Sequence, residues 1–203
     1  CWETSAAICP DFPTVWRNLS LAYYNKQDNK AKALEALEKA FRLDENDSRI
    51  LMELDQLYKR LGYSHERRLA FLETHLSTTE ERDDLAIERI TLYNQLGRYD
   101  EAKALIAGRK FHPWEGGEGK ITGQYVLCRV ELARVALREQ RYADALALLE
   151  ETDQYPHNLG EGKLANAEEN DNWYYKGEAY RGLGDEEKAK VCFEKATVGS
   201  AEP

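Results

Sequence analysis

Apolar residues recur along the chain at the three- and four-residue steps of a single helix face, as in Leu34, Leu37 and Phe41 and again in Leu146 and Leu149. No proline falls between Pro13 and Pro113, so nothing in that stretch interrupts helices joined by short turns. The pattern predicts helices almost throughout. A longer period lies over the short one. Residues 171–196 place Trp173, Gly177 and Tyr180 ahead of Gly184, Ala189, Phe193 and Ala196. Large residues on one helix then meet small ones opposite, which lets two helices pack closely. Gly184 stands where the chain leaves the first helix, the usual place for a left-handed residue.

The same grammar recurs upstream. Trp16, Leu19 and Tyr23 precede Ala33, Leu37 and Ala40; Leu51, Leu54 and Tyr58 precede Gly62 and Phe71. Tyr93, Gly97, Tyr99 and Ala102 mark a fourth copy, and Leu132, Ala133, Tyr142, Ala145 and Leu149 a fifth. The order resembles the tetratricopeptide repeat, W-x₂-L-G-x₂-Y then A-x₃-F, with Lys176 where Leu is usual. The resemblance implies an all-α fold, a right-handed α-solenoid of helix-turn-helix units with about eleven helices. The repeats are assigned to 13–47, 48–82, 83–120, 126–163 and 170–203 of a single array spanning 1–203, with 1–12 the end of a preceding repeat. Because Trp2 to Pro10 fits a second helix and the chain stops at Ala201-Glu202-Pro203 with no polar capping helix, the array reads as a piece of a longer protein.

The period stretches once. Tyr99 to Tyr142 spans 43 residues, and the extra length falls in two similar segments, with enlarged loops at 111–120 and 155–170. Pro113 and Pro156, Glu118 and Glu161, Gly119 and Gly162, and Lys120 and Lys163 are each 43 apart, so Gly-Glu-Gly-Lys occurs twice. A phosphate-binding loop of the G-x-x-x-x-G-K-[ST] kind is excluded: Trp114 and His157 stand at its first glycine, and Ile121 and Leu164 replace the hydroxyl residue. Two readings remain. The loops are structural connections between repeats, or Trp114, Glu115, Glu118, Lys120, Glu161 and Lys163, with Asp171 beyond them, hold a ligand or another domain. The ligand reading requires the two loops to share a pocket. Asp171 or Asn172 is expected to cap the last repeat's first helix.

Composition narrows the chemistry further. The chain has 203 residues, 42% of them apolar, and a net charge of −9. An acidic balance with no basic cluster argues against nucleic acid, and no apolar run approaches a membrane span. The four cysteines form no C-x-x-C pair and read as thiols of a reducing, cytoplasmic compartment. His65, His75, His112 and His157 lack metal-ligand spacing, and no nucleophile–base arrangement can be drawn. The reading carries no metal, no cofactor and no catalytic residue.

The groove positions of the first helices include Arg17, Asn18, Arg134, Arg138, Tyr174, Tyr175 and Arg181; of these Arg134, Arg138 and Arg181 with Tyr174 and Tyr175 suit a peptide or a sugar, against the plainer reading of a surface of mixed charge. A clamp for acidic C-termini is disfavoured, because Leu21 stands where it needs Asn and carboxylates interrupt the groove. A narrower resemblance rests on residues 12–19, 112–120 and 159–164. These are similar to the repeat region of large bacterial proteins that also carry a mutarotase-like β-sandwich domain of unknown function. It implies a link to carbohydrate. The leading expectation is a non-catalytic scaffold that docks a peptide or another domain of its own parent chain. The alternative is an accessory region of a carbohydrate-active protein whose loops contribute to a glycan site.

Overall fold

The computed structural model describes residues 2–197, so Cys1 and residues 198–203, with the chain end at Ala201-Glu202-Pro203, lie outside the described residues. Helices account for nearly all regular structure there, and no strand occurs among the described residues. They fall into two compact units, Cys1–Leu92 and Tyr93–Pro203.

The first unit contains α1 (Trp2–Ile8), α2 (Pro13–Gln27), α3 (Lys30–Leu43), α4 (Ser48–Arg60), α5 (His65–Thr74) and α6 (Leu76–Glu80), and most of α7 (Asp83–Gln95). Local chemistry sets their ends. Pro13 opens α2, the Asn29 carboxamide accepts from the Lys32 N–H at the start of α3, and Asp47 accepts from the N–H groups of Arg49 and Ile50 at the start of α4. Between α2 and α3, Ala33, Ala36, Leu37, Ala40 and Phe41 turn inward at helical spacing. The expected helix count rises by one, because the second helix of the 48–82 segment is broken at His75, whose ψ is 44°. A run of hydroxyl residues surrounds the break, and Thr79 and Thr74 donate to the carbonyls of Leu72 and Ala70. Such side chains compete with the helix's own ladder.

Charge is also buried in this unit. Arg68 and Asp55 have almost no exposed surface and form a two-pronged ion pair, at 3.0 and 2.6 Å. Arg68 also reaches Glu88 at 2.7 Å, and Lys59 meets the same carboxylate at 2.9 Å. Burial pushes the Asp55 carboxyl up despite Arg68. At Glu88 burial works the same way, but the hydrogen bonds from Arg68 and Lys59 outweigh it and hold that carboxyl below its ordinary range.

The second unit holds the end of α7, then α8 (Tyr99–Ala107), α9 (Lys120–Arg138), α10 (Tyr142–Glu151), α11 (Asn170–Gly182) and α12 (Glu186–Thr197). Val130, Ala133, Ala136, Ala145, Leu149 and Ala179 form its core, small residues predominating where α9, α10 and α11 approach. A β-carbon at Gly177 would come within 2.5 Å of the Phe193 ring, so the α11–α12 crossing depends on that missing side chain. Gly184 has φ 82°, the left-handed residue expected there. Lys176, at the position where Leu is usual, is buried against the Trp173 ring and donates to both carboxylate oxygens of Asp153, at 2.6 and 2.7 Å.

Candidate functional site

The second unit's irregular segments are long: residues 108–119 join α8 to α9, and 152–169 join α10 to α11 with one turn of 3₁₀ helix at His157–Leu159. Helix α9 thus begins at Lys120, inside the span that the repeat period assigns to the preceding repeat.

The two segments are stitched to each other. The Phe111 N–H donates to the Asn158 carbonyl at 2.7 Å, and the Asn158 carboxamide donates to the carbonyls of Ile106 and Arg109 at 2.8 and 2.9 Å. Phe111 and Leu159 are buried beside this seam. Gly160 is required twice over: its φ is 74°, and a β-carbon there would stand 2.5 Å from the Phe111 carbonyl oxygen. Further along, Gly119 occupies the cap position of α9 in a left-handed conformation and has no capping side chain of its own. Glu161 supplies one from 42 residues away. Its carboxylate accepts the Gly119 N–H with both oxygens at 3.1 Å and the Thr122 hydroxyl at 3.3 Å. An anion on a helix N-terminus satisfies its orphan N–H groups and complements its dipole.

Gly119 and Thr122, the two residues held by Glu161, line a cleft of about 550 Å³. Helix α9 provides the floor through Thr122, Val126 and Val130, residues one helical turn apart. Leu127 lies beside them, Tyr155 and Leu164 come from the second loop, and Tyr175 comes from α11. The rim is polar, with Glu118 and Lys120 from the first loop, Glu131 and Arg134 from α9, and Glu168, Glu169 and Asp171 from the approach to α11. Burial, with the Glu169 charge adding to it, pushes the Tyr155 phenol above its ordinary value, so its hydroxyl keeps its proton at neutral pH.

The residues singled out in the sequence divide clearly. Glu118, Lys120, Asp171, Arg134 and Tyr175 line the cleft. Glu161 does not line it and instead forms the clasp on Gly119, and Lys163 is bound to Glu169 at 2.5 Å. Trp114 is outside, folded over Gly117 with the Lys120 ammonium 5.6 Å from its ring, and Glu115 is exposed. Arg138 is exposed away from the cleft, Arg181 pairs with Glu178 at 2.6 Å, and Tyr174 packs edge-on against Tyr175. Arg17 belongs to a smaller groove of the first unit, where Glu53 takes its guanidinium; Asn18 is half-buried and does not line that groove.

One expectation is corrected. Neither Asp171 nor Asn172 caps α11, which starts at Asn170 with Glu169 at the cap position and no side-chain bond there. Asn172 instead turns its amide N–H onto the Thr152 hydroxyl and lines the cleft. No local signal announces this contact, since Thr152 lies 20 residues back at the end of α10.

The same architecture is found elsewhere. Residues 14–47 and 171–197 match one family profile described as Tetratricopeptide repeat, and residues 126–151 match a second of the same description. Among solved structures, the chain is similar to YrrB, described as a TPR protein with an unusual peptide-binding site. Identity is 15%, with 97% of this chain and 91% of that one covered and a TM-score of 0.60. It is also similar to MamA, at 16% identity over 91% of this chain and 90% of that one, TM-score 0.55. MamA from Desulfovibrio magneticus (residues 41 to the end) aligns at 13% identity over 91% and 93%, TM-score 0.54. At such identities the likeness is one of fold. Tetratricopeptide repeats therefore occupy residues 14–47, 126–151 and 171–197 of this chain.

Proposed function

We propose that the chain is a non-catalytic interaction module, its repeats over 13–47, 48–82, 83–120, 126–163 and 170–203 serving to present binding surfaces, and that the cleft of the second unit takes a peptide segment. The cleft carries this reading. Its floor is apolar and its rim polar, the anatomy of a site that recognises an extended chain. The solved relative with a peptide-binding site supports the class of partner without naming it. The narrower sequence resemblance makes another domain of the same parent polypeptide a natural source of that segment. A sugar is the competing occupant, and against it stands the position of Trp114, whose ring is folded over Gly117 outside the cleft.

Selection of random ten-residue peptides on the whole chain, followed by amide chemical-shift mapping of a selected peptide, tests this. Shifts are expected on α9, on the second loop and at the start of α11. Shifts confined to the first unit would refute the assignment of the site. Saturable binding of an oligosaccharide, lost in Trp114→Ala, would overturn the peptide reading in favour of the glycan one.

A further inference from the structure

We infer that the segment received by this cleft is cationic: an extended peptide carrying two or more Lys or Arg residues with an apolar residue between them. The inference rests on the peptide reading above and adds the chemistry of the partner.

Two independent observations point the same way. The first is the electrostatic balance of the cleft. Five carboxylates line it against two cations, Lys120 and Arg134. Arg134 is already engaged by Glu131 at 2.6 Å, and Glu169 by Lys163. Glu118, Glu168 and Asp171 have no ion-pair partner among the described residues, and all three are exposed at the rim. The second is a buried acceptor. Asn172 lines the cleft with 5% of its surface exposed; its N–H bonds Thr152, and its amide oxygen has no hydrogen-bond partner. The Thr152 hydroxyl cannot serve it, because that proton goes to the Leu149 carbonyl at 2.7 Å. A buried acceptor without a donor favours a ligand that brings N–H groups.

The occupant is more than a point charge. No group of three or more His, Cys, Asp or Glu side chains converges to hold a metal ion among the described residues. The carboxylates are instead spread along a cleft whose floor is apolar, with Leu127 still 40% exposed. A chain that alternates charged and apolar side chains satisfies both surfaces at once.

Fluorescence anisotropy on the whole chain tests the inference with labelled ten-residue peptides of alternating Leu and Lys, the same peptide with Gln for Lys, and the same with Glu for Lys. The Lys peptide is expected to bind about tenfold or more tighter than the Gln peptide, and more weakly as salt is raised. Glu168→Gln with Asp171→Asn, both exposed and checked for helicity by circular dichroism, should weaken it by about tenfold. In an isotope-labelled sample the Asn172 side-chain amide resonances should move on titration. Equal binding of the Gln or Glu peptide, or an unchanged affinity in the double variant, would overturn the cationic preference while leaving the peptide reading intact. Full displacement by spermidine at matching affinity would show that charge alone is read and would overturn the peptide commitment. If selected peptides fail to bind at all, the underlying reading falls with it.

Discussion

Removing the Glu161 carboxylate should loosen the start of α9 although nothing in that helix is changed. In Glu161→Ala the Gly119 N–H loses its acceptor, and the buried Thr122 hydroxyl loses the same partner. A side-chain cap on a helix N-terminus contributes about 1 kcal/mol, and a negative charge there adds about 0.3–1 kcal/mol. The expected cost is therefore about 1–2 kcal/mol. Glu161→Gln keeps an acceptor oxygen and gives up only the charge, so it should recover roughly half of that loss. Lys163→Ala, from the same four-residue motif, should cost well under 1 kcal/mol, because its exposed pairing with Glu169 is a surface salt bridge. Urea unfolding followed by circular dichroism measures all three, with unchanged slope as the condition for comparing midpoints. Hydrogen exchange adds a local readout: protection of the Gly119 amide should fall in the alanine variant by more than the global loss accounts for. A Glu161→Ala chain within about 0.3 kcal/mol of the parent, or one that protects Gly119 equally well, would refute the clasp as a source of stability.

Two further predictions concern the first unit. Arg68→Met should cost about 3–5 kcal/mol, because it leaves Asp55 buried without its counter-ion and removes one of two partners of Glu88; a midpoint shift worth less than about 1 kcal/mol would contradict the role given to the pair. Adding Asp55→Leu should restore much of the loss, since an apolar pair of similar volume replaces an ionic one. The Tyr58 phenol, raised by burial and by the Glu38 carboxylate to which it donates at 3.0 Å, holds its proton more tightly folded than unfolded. The folded chain therefore binds more protons than the unfolded one above the ordinary phenol pKa, so stability present below about pH 10 should fall as pH rises beyond it. Unfolding midpoints measured through that alkaline range check the sign, and Tyr58→Phe should flatten the dependence.

What was legible in the sequence was whatever depends on neighbours one or two helical turns away. The Trp173, Gly177, Tyr180 and Ala189 series describes two helices in contact, and Gly184 sits in the left-handed turn it announces. Local rules fail where tertiary contact decides. Gln140 adopts φ 60° between α9 and α10, in the kind of turn where Gly62, Gly97 and Gly184 appear, so a search for glycine passes over it. Lys176 reads as a defect in an apolar series until Asp153, 23 residues earlier, is seen beneath it. The Arg68 pair was invisible for the same reason, since a charged residue on a helix is exposed by default and its partner lies on another helix.

The duplicated Gly-Glu-Gly-Lys motif shows the limit most clearly. Equal spacing suggests equal roles, yet its two copies behave differently because the chain leaves them in different ways. After Gly119 it enters α9 directly, which leaves an N-terminus needing an acceptor; after Gly162 it runs on through Leu164 to Glu169 before α11 begins. Only the first copy therefore creates a demand, and the second copy's glutamate meets it. That relation also frees the first copy's glutamate. With the Gly119 N–H already taken by Glu161, Glu118 is not the acceptor at the start of α9 and lies exposed on the rim of the cleft. The repeat motif thus divides its carboxylates: Glu161 holds the two loops together, and Glu118 stays exposed at the cleft, where the proposed peptide would meet it. Substituting Glu118 should accordingly leave stability unchanged while weakening the binding of a cationic peptide, the reverse of what Glu161→Gln should do.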